Sequence, residues 1–119
     1  MSINKHKAAQ TNHPFIGTWH IYEMLEWDED FFNMETQTYV EIQKNNLGSF
    51  QFGLVTGSID GYLEEVNGQR RFSFTWEGNN EMDEAMGGGW LQLADDDEVE
   101  GLIKFHLGES STFRATRAR

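Results

Sequence analysis

At 119 residues the chain has the length of one domain, and it sets 20 acidic residues against 9 basic ones for a net charge of −11. A surface of that sign repels phosphate backbones, so nucleic acid is not an expected partner. The chain has no cysteine, which removes disulfides, zinc–thiolate sites and thiol nucleophiles. No stretch approaches the roughly 20 apolar residues of a membrane-crossing helix.

Residues 1–13 are polar and aperiodic and read as a disordered arm, with residues 14–119 as the folded domain. The arm lacks the apolar core of a signal peptide, so a cytoplasmic protein is expected. From residue 16 to 27, Gly17, Trp19, Ile21, Glu23, Leu25 and Trp27 alternate with Thr18, His20, Tyr22, Met24 and Glu26. Period two over that length is a strand with the first set facing inward. Glu23 is the odd member: a carboxylate on an apolar face is either paired, with Arg71, Arg114 or a lysine, or stands at an open mouth as a ligand anchor.

Asp28 breaks the alternation and caps a predicted helical turn at residues 29–34, a lid or connector. A second strand is expected at 36–44, followed by the turn signal Asn45-Asn46-Leu47-Gly48. The third strand sets Phe50, Phe52 and Leu54 inward. The fourth, at 57–66, sets Ile59 and Leu63 inward and ends at Asn67-Gly68, the dipeptide of a type I′ hairpin. Phe72, Phe74 and Trp76 alternate with Ser73, Thr75 and Glu77 in the fifth strand.

Gly78 and the run Gly87-Gly88-Gly89 bracket an acidic segment without a β pattern, which is expected as a mobile loop gating the interior. Strand six is predicted with Trp90, Gln92 and Ala94 inward. Strand seven follows the acidic turn at 95–98, with Val99, Gly101, Ile103, Phe105 and Leu107 inward. Strand eight, beyond Gly108-Glu109, turns Phe113, Ala115 and Arg117 inward. Eight strands at about 13 residues each, turn included, have the spacing of an all-β, eight-stranded antiparallel up-and-down barrel. Closing it pairs the first and last strands and brings Arg117 to the end that holds Trp19, where a guanidinium can cover the indole.

That closure, a Gly-x-Trp on the first strand (Gly17-Thr18-Trp19) with an arginine from the last (Arg117), resembles the calycin superfamily. The chain length, Phe72-Ser73-Phe74-Thr75-Trp76, Trp90 and residues 113–117 are similar to the avidin type, although Phe113 stands where that family keeps a tryptophan. The chain is also similar to small bacterial proteins sharing Trp-Glu-Gly-x-x-Glu-x-Asp, here residues 76–83, and Phe-His-x-Gly-Glu/Asp-x-Ser, here residues 105–111. These resemblances imply a barrel and no particular activity.

Two readings of function stay open. In one, the inward aromatic residues line a cup for a small apolar or aromatic ligand at the barrel mouth, between residues 28–35 and 78–88. Trp27, Phe52, Phe74, Trp76 and Trp90 would be its walls and Glu23 or Gln92 its polar anchor. The inward glycines Gly57, Gly61 and Gly101 would leave it room. In the other, the rings fill the barrel. Work then falls to an acidic outer surface or to self-association through Tyr22, Met24, Tyr39, Leu91, Leu93 and Leu102. No complete catalytic constellation, metal site or cofactor motif is seen. His106, Glu109, Ser110 and Ser111 lack the geometry cues of a nucleophile and read as a tight turn, while His20 reads as a surface residue. The acidic loops at 28–30 and 79–84 lack calcium-loop spacing.

Overall fold

The computed structural model describes residues 13–118. Eight antiparallel strands close into one barrel: β1 (Gly17–Met24), β2 (Tyr39–Ile42), β3 (Leu47–Phe52), β4 (Val55–Val66), β5 (Gln69–Asn80), β6 (Asp83–Asp95), β7 (Glu98–Phe105) and β8 (Ser110–Arg117). The one helix among the described residues, α1 (Glu29–Phe32), follows β1, and Asp28 caps it by accepting the Phe31 N–H at 3.1 Å. Among the described residues no helix is long and apolar enough to cross a membrane. The expected arm lies outside the described residues except for His13, which is buried.

β1 pairs with both β2 and β8, so neither edge of the sheet is left open. At the β4–β5 turn Asn67 (φ 53°) and Gly68 (φ 79°) both take the left-handed conformation that a type I′ hairpin requires. Phe72, Phe74 and Trp76 on β5 point into the core, as do Phe50 and Phe52 on β3. Leu54, expected beside them, lies instead in the tight β3–β4 turn, where Gly53 has φ 56°, and Leu107, expected inward on β7, is exposed in the turn beyond it with φ 58°.

The inward glycines do not open a cavity. A Cβ on Gly57 would strike the Phe50 ring, one on Gly61 the Phe72 ring, and one on Gly101 the Phe113 ring. Gly87 and Gly89 stand opposite Trp76 and Phe74 in the β5–β6 ladder. At Gly57, Gly61 and Gly101 the glycine is the space into which a neighbouring ring lies, the device that lets large aromatics fill a narrow barrel.

This pairing also corrects β6. Phe72 faces Leu91 and Ser73 faces Trp90, and directly paired residues share a face. Leu91 is therefore in the core, while Trp90 and Gln92 lie on the outer side. A second correction concerns β1. A bulge between Ile21 and Glu23 in its pairing with β8 shifts the alternation. Beyond it Met24 is buried, and Glu23 and Leu25 are exposed. The proposed outer apolar patch loses Met24 and Leu91 by these two shifts.

The acidic gate is overturned as well. β5 and β6 run on as a ladder through Gly78–Ala85, Asn79–Glu84 and Asn80–Asp83 to a two-residue turn at Glu81-Met82. Glu81 takes φ 57° there and donates its N–H to the Leu54 carbonyl at 3.0 Å. Gly78 and Gly87 admit the backbone carbonyls of Thr56 and Lys104 where a Cβ would stand. They serve close strand approach rather than hinging.

Candidate functional site

The two ends of the barrel are finished differently. At the end holding the start of β1, the guanidinium of Arg117 lies 4.3 Å from the centroid of the Trp19 ring. It donates to the carbonyls of Ile16 (3.1 Å), Pro14 (3.0 Å) and Asp96 (3.2 Å) and pairs with Asp97 at 3.4 Å. Trp19 is fully buried, and its indole N–H donates to the Phe15 carbonyl at 3.0 Å. Phe15 and His13 pack against Phe72 across this end.

His13 is held on both ring nitrogens. The Phe15 N–H donates to Nδ1 at 3.2 Å, and Nε2 lies 2.8 Å from Asn46 Oδ1. Nδ1 as acceptor leaves the proton on Nε2, so the ring is neutral. Burial lowers its pKa below the ordinary 6.5, opposed by the Asn46 hydrogen bond and aided by the positive charge of Arg70.

The opposite end opens into a cup of about 630 Å³. Trp27, Phe31, Phe52, Val55 and Phe105 line its apolar part, with Ala85 and Met86 on the β6 side; Asn80, Asp83, Glu84, His106 and Glu109 are the polar lining. Local structure explains the placement. After the β1 bulge, the Leu25 N–H donates to the Thr112 carbonyl and the Glu26 N–H to Ser111 Oγ, both at 3.0 Å. The chain then bends and lays Trp27 over Phe52, 5.1 Å between centroids. α1 is fixed as a wall rather than a free lid, because the Phe32 carbonyl accepts the Gly53 N–H at 2.8 Å and also the Thr38 hydroxyl.

Phe105 joins the cup to the core. It meets Trp27 and Phe52 edge-on at 6.3 and 6.2 Å and Trp76 at 5.2 Å with planes 89° apart. Trp76 is buried beneath it and donates its indole N–H to the Lys104 carbonyl at 3.1 Å. Of the residues proposed from sequence, Trp27 and Phe52 line the cup, whereas Trp76 and Phe74 support it from the core.

The others lie elsewhere. Trp90 is on the outer wall, stacked under the Arg71 guanidinium at 4.1 Å, and Arg71 also donates to Gln92 Oε1 at 3.1 Å. Glu23 and Trp90 share a smaller outer depression of about 230 Å³ with Leu25, Glu100 and Arg114. Arg114 is directly opposite Glu23 in the ladder, yet it pairs with Glu98 at 3.1 Å. Neither proposed polar anchor is at the mouth.

Sequence reasoning had no place in the site for Phe31 or Val55, which the α1 wall and the β3–β4 turn bring to the rim. The doublet Phe31-Phe32 held a usable signal, since two large rings on one helical turn must face different surroundings. Among the serines of the β7–β8 turn, Ser111 is buried; its hydroxyl accepts from Glu26 and donates to the Thr112 carbonyl at 2.9 Å, a structural role. Among the described residues no three His, Asp or Glu side chains are grouped as a metal ion needs. Compared with protein families, curated proteins and solved structures, the chain matches none.

Proposed function

We propose that this chain is a cytoplasmic, calycin-like barrel that binds a small apolar or aromatic molecule at its mouth. The observation that carries the reading is the cup: about 630 Å³ of space walled by Trp27, Phe31, Phe52 and Phe105 at the end away from the Trp19–Arg117 closure. Ligand sites generally span roughly 300–1,000 Å³ and combine apolar walls with a few polar groups. The ring-over-glycine packing beneath gives the cup a rigid floor, which favours binding by limiting the ordering cost. The Trp19–Arg117 closure supports the calycin likeness. Binding is preferred to catalysis because the Ser111 hydroxyl is engaged by backbone groups and is not paired with His106. The alternative, an interaction module working through its outer surface, is weakened by the burial of Met24 and Leu91.

A neutral fluorophore, N-phenyl-1-naphthylamine, tests the reading. Its emission should rise to saturation at one equivalent, and Trp27→Ala should weaken that binding at least tenfold. A non-saturating rise, or saturation indifferent to Trp27→Ala, would contradict it.

A further inference from the structure

Two segments that stand out in the sequence, residues 76–83 and 105–111, lie apart in the chain, and the fold brings parts of both to the cup. From residues 76–83 come Asn80 and Asp83; from residues 105–111 come Phe105, His106 and Glu109. The polar part of the lining is thereby acidic. Asp83, Glu84 and Glu109 all contribute, and among the described residues no Lys or Arg lines the cup. The walls are aromatic, and ring faces attract cations as well as apolar surface.

Resting on the small-molecule reading above, we propose that the ligand is an organic cation: an apolar or aromatic body carrying a protonated or quaternary amine. The body lies against Trp27, Phe52 and Phe105, and the amine sits among the carboxylates of Asp83, Glu84 and Glu109. An anionic amphiphile such as a fatty acid would bring a like charge to a rim that, among the described residues, carries three carboxylates and no Lys or Arg. A bare metal ion is not the fit either, because the carboxylates are not grouped to coordinate one. A diffuse positive charge on an apolar frame satisfies both halves of the lining.

Calorimetric titration with three matched probes tests this: 1-naphthylmethylamine, 1-naphthylmethanol and 1-naphthoate. At low ionic strength the amine should bind about tenfold tighter than the alcohol, and the carboxylate weakest. Added salt should narrow the gap, because screening acts within about 8 Å at 0.15 M. The triple variant Asp83→Asn, Glu84→Gln, Glu109→Gln should bind amine and alcohol alike, with an unchanged circular dichroism spectrum to report an intact barrel. A control with the same charge loss at the closed end (Glu41→Gln, Glu65→Gln, Asp96→Asn) should keep the preference. Equal binding of all three probes, preference for the carboxylate, or loss of the preference in the control would overturn the cation assignment while leaving the cup as a binding site. Failure of every probe to bind at millimolar concentration would instead remove the binding reading itself.

Discussion

The Trp19 end and the Trp27 end of this barrel are both built from aromatic rings, yet they spend their polar contacts differently. At the first, Arg117, Asp97, His13 and Asn46 tie down the rings and the leading segment, and Trp19 is fully buried with its N–H bonded. At the second, Trp27 lies over Phe52, Phe105 meets both edge-on, and the three rings line a cavity. Saturated hydrogen bonding and a plugged end describe structure, whereas ring faces lining a cavity beside carboxylates are what the proposed site is built from. The same residue type thus has two meanings, and its surroundings decide which.

The same substitution at the two ends should separate them. Trp19→Ala is expected to cost about 3–5 kcal/mol in urea unfolding, as for a fully buried aromatic. Arg117→Ala should cost less, and the two losses should fall short of additivity because the groups touch. Additive losses would mean that the closure is not a coupled unit. Next in size, Gly101→Ala should destabilise by about 1–3 kcal/mol, since the new methyl meets the Phe113 ring. A neutral or stabilising result would show the interior to be loosely filled. Trp27→Ala, at a half-buried ring, should cost only about 1 kcal/mol while removing ligand binding. A loss as large as that of Trp19→Ala would erase the distinction between the ends.

The smallest effect expected is in the pH dependence of the closed end. The folded-state pKa of His13 lies below its unfolded value of 6.5, so the unfolded chain binds the proton more readily. The contribution of His13 is therefore fully present above about pH 6.5 and is lost as pH falls from there through the folded-state pKa. Protonating Nδ1 removes the acceptor of the Phe15 N–H. Urea midpoints at pH 7.5 and 5.5 should fall with pH in the wild type and fall less in His13→Leu. An equal fall in both would place the sensitivity elsewhere.

Much of the fold was legible because its signals are local. Asn67-Gly68 names its own turn, Phe72, Phe74 and Trp76 name a face, and Gly17-Thr18-Trp19 with Arg117 indicates the closure. The errors arose where a neighbouring strand decides. Gly87-Gly88-Gly89 carries no alternation, so the bulk of Trp90 suggested an inward face that the pairing of Gly87 and Gly89 with Trp76 and Phe74 gives to Leu91. The β1 bulge exists only in the pairing with β8, and it moved Glu23 off the inner face. Glu81-Met82 is not a turn dipeptide by composition, so a tight hairpin read as a gate. The cup lies between the helical turn and the β5–β6 hairpin, and its rim residues converge only through closure.

The four tryptophans are reporters already in place: Trp27 in the cup, Trp76 beneath it, Trp19 at the closed end and Trp90 on the outer wall. Their indole N–H signals in a ¹H–¹⁵N spectrum, followed during titration with 1-naphthylmethylamine, test the central claim most directly. Trp27 should shift most and saturate, Trp76 should shift less, and Trp19 and Trp90 should stay still. A stationary Trp27 with movement at Trp19 or Trp90 would contradict the assignment of the site to the open mouth.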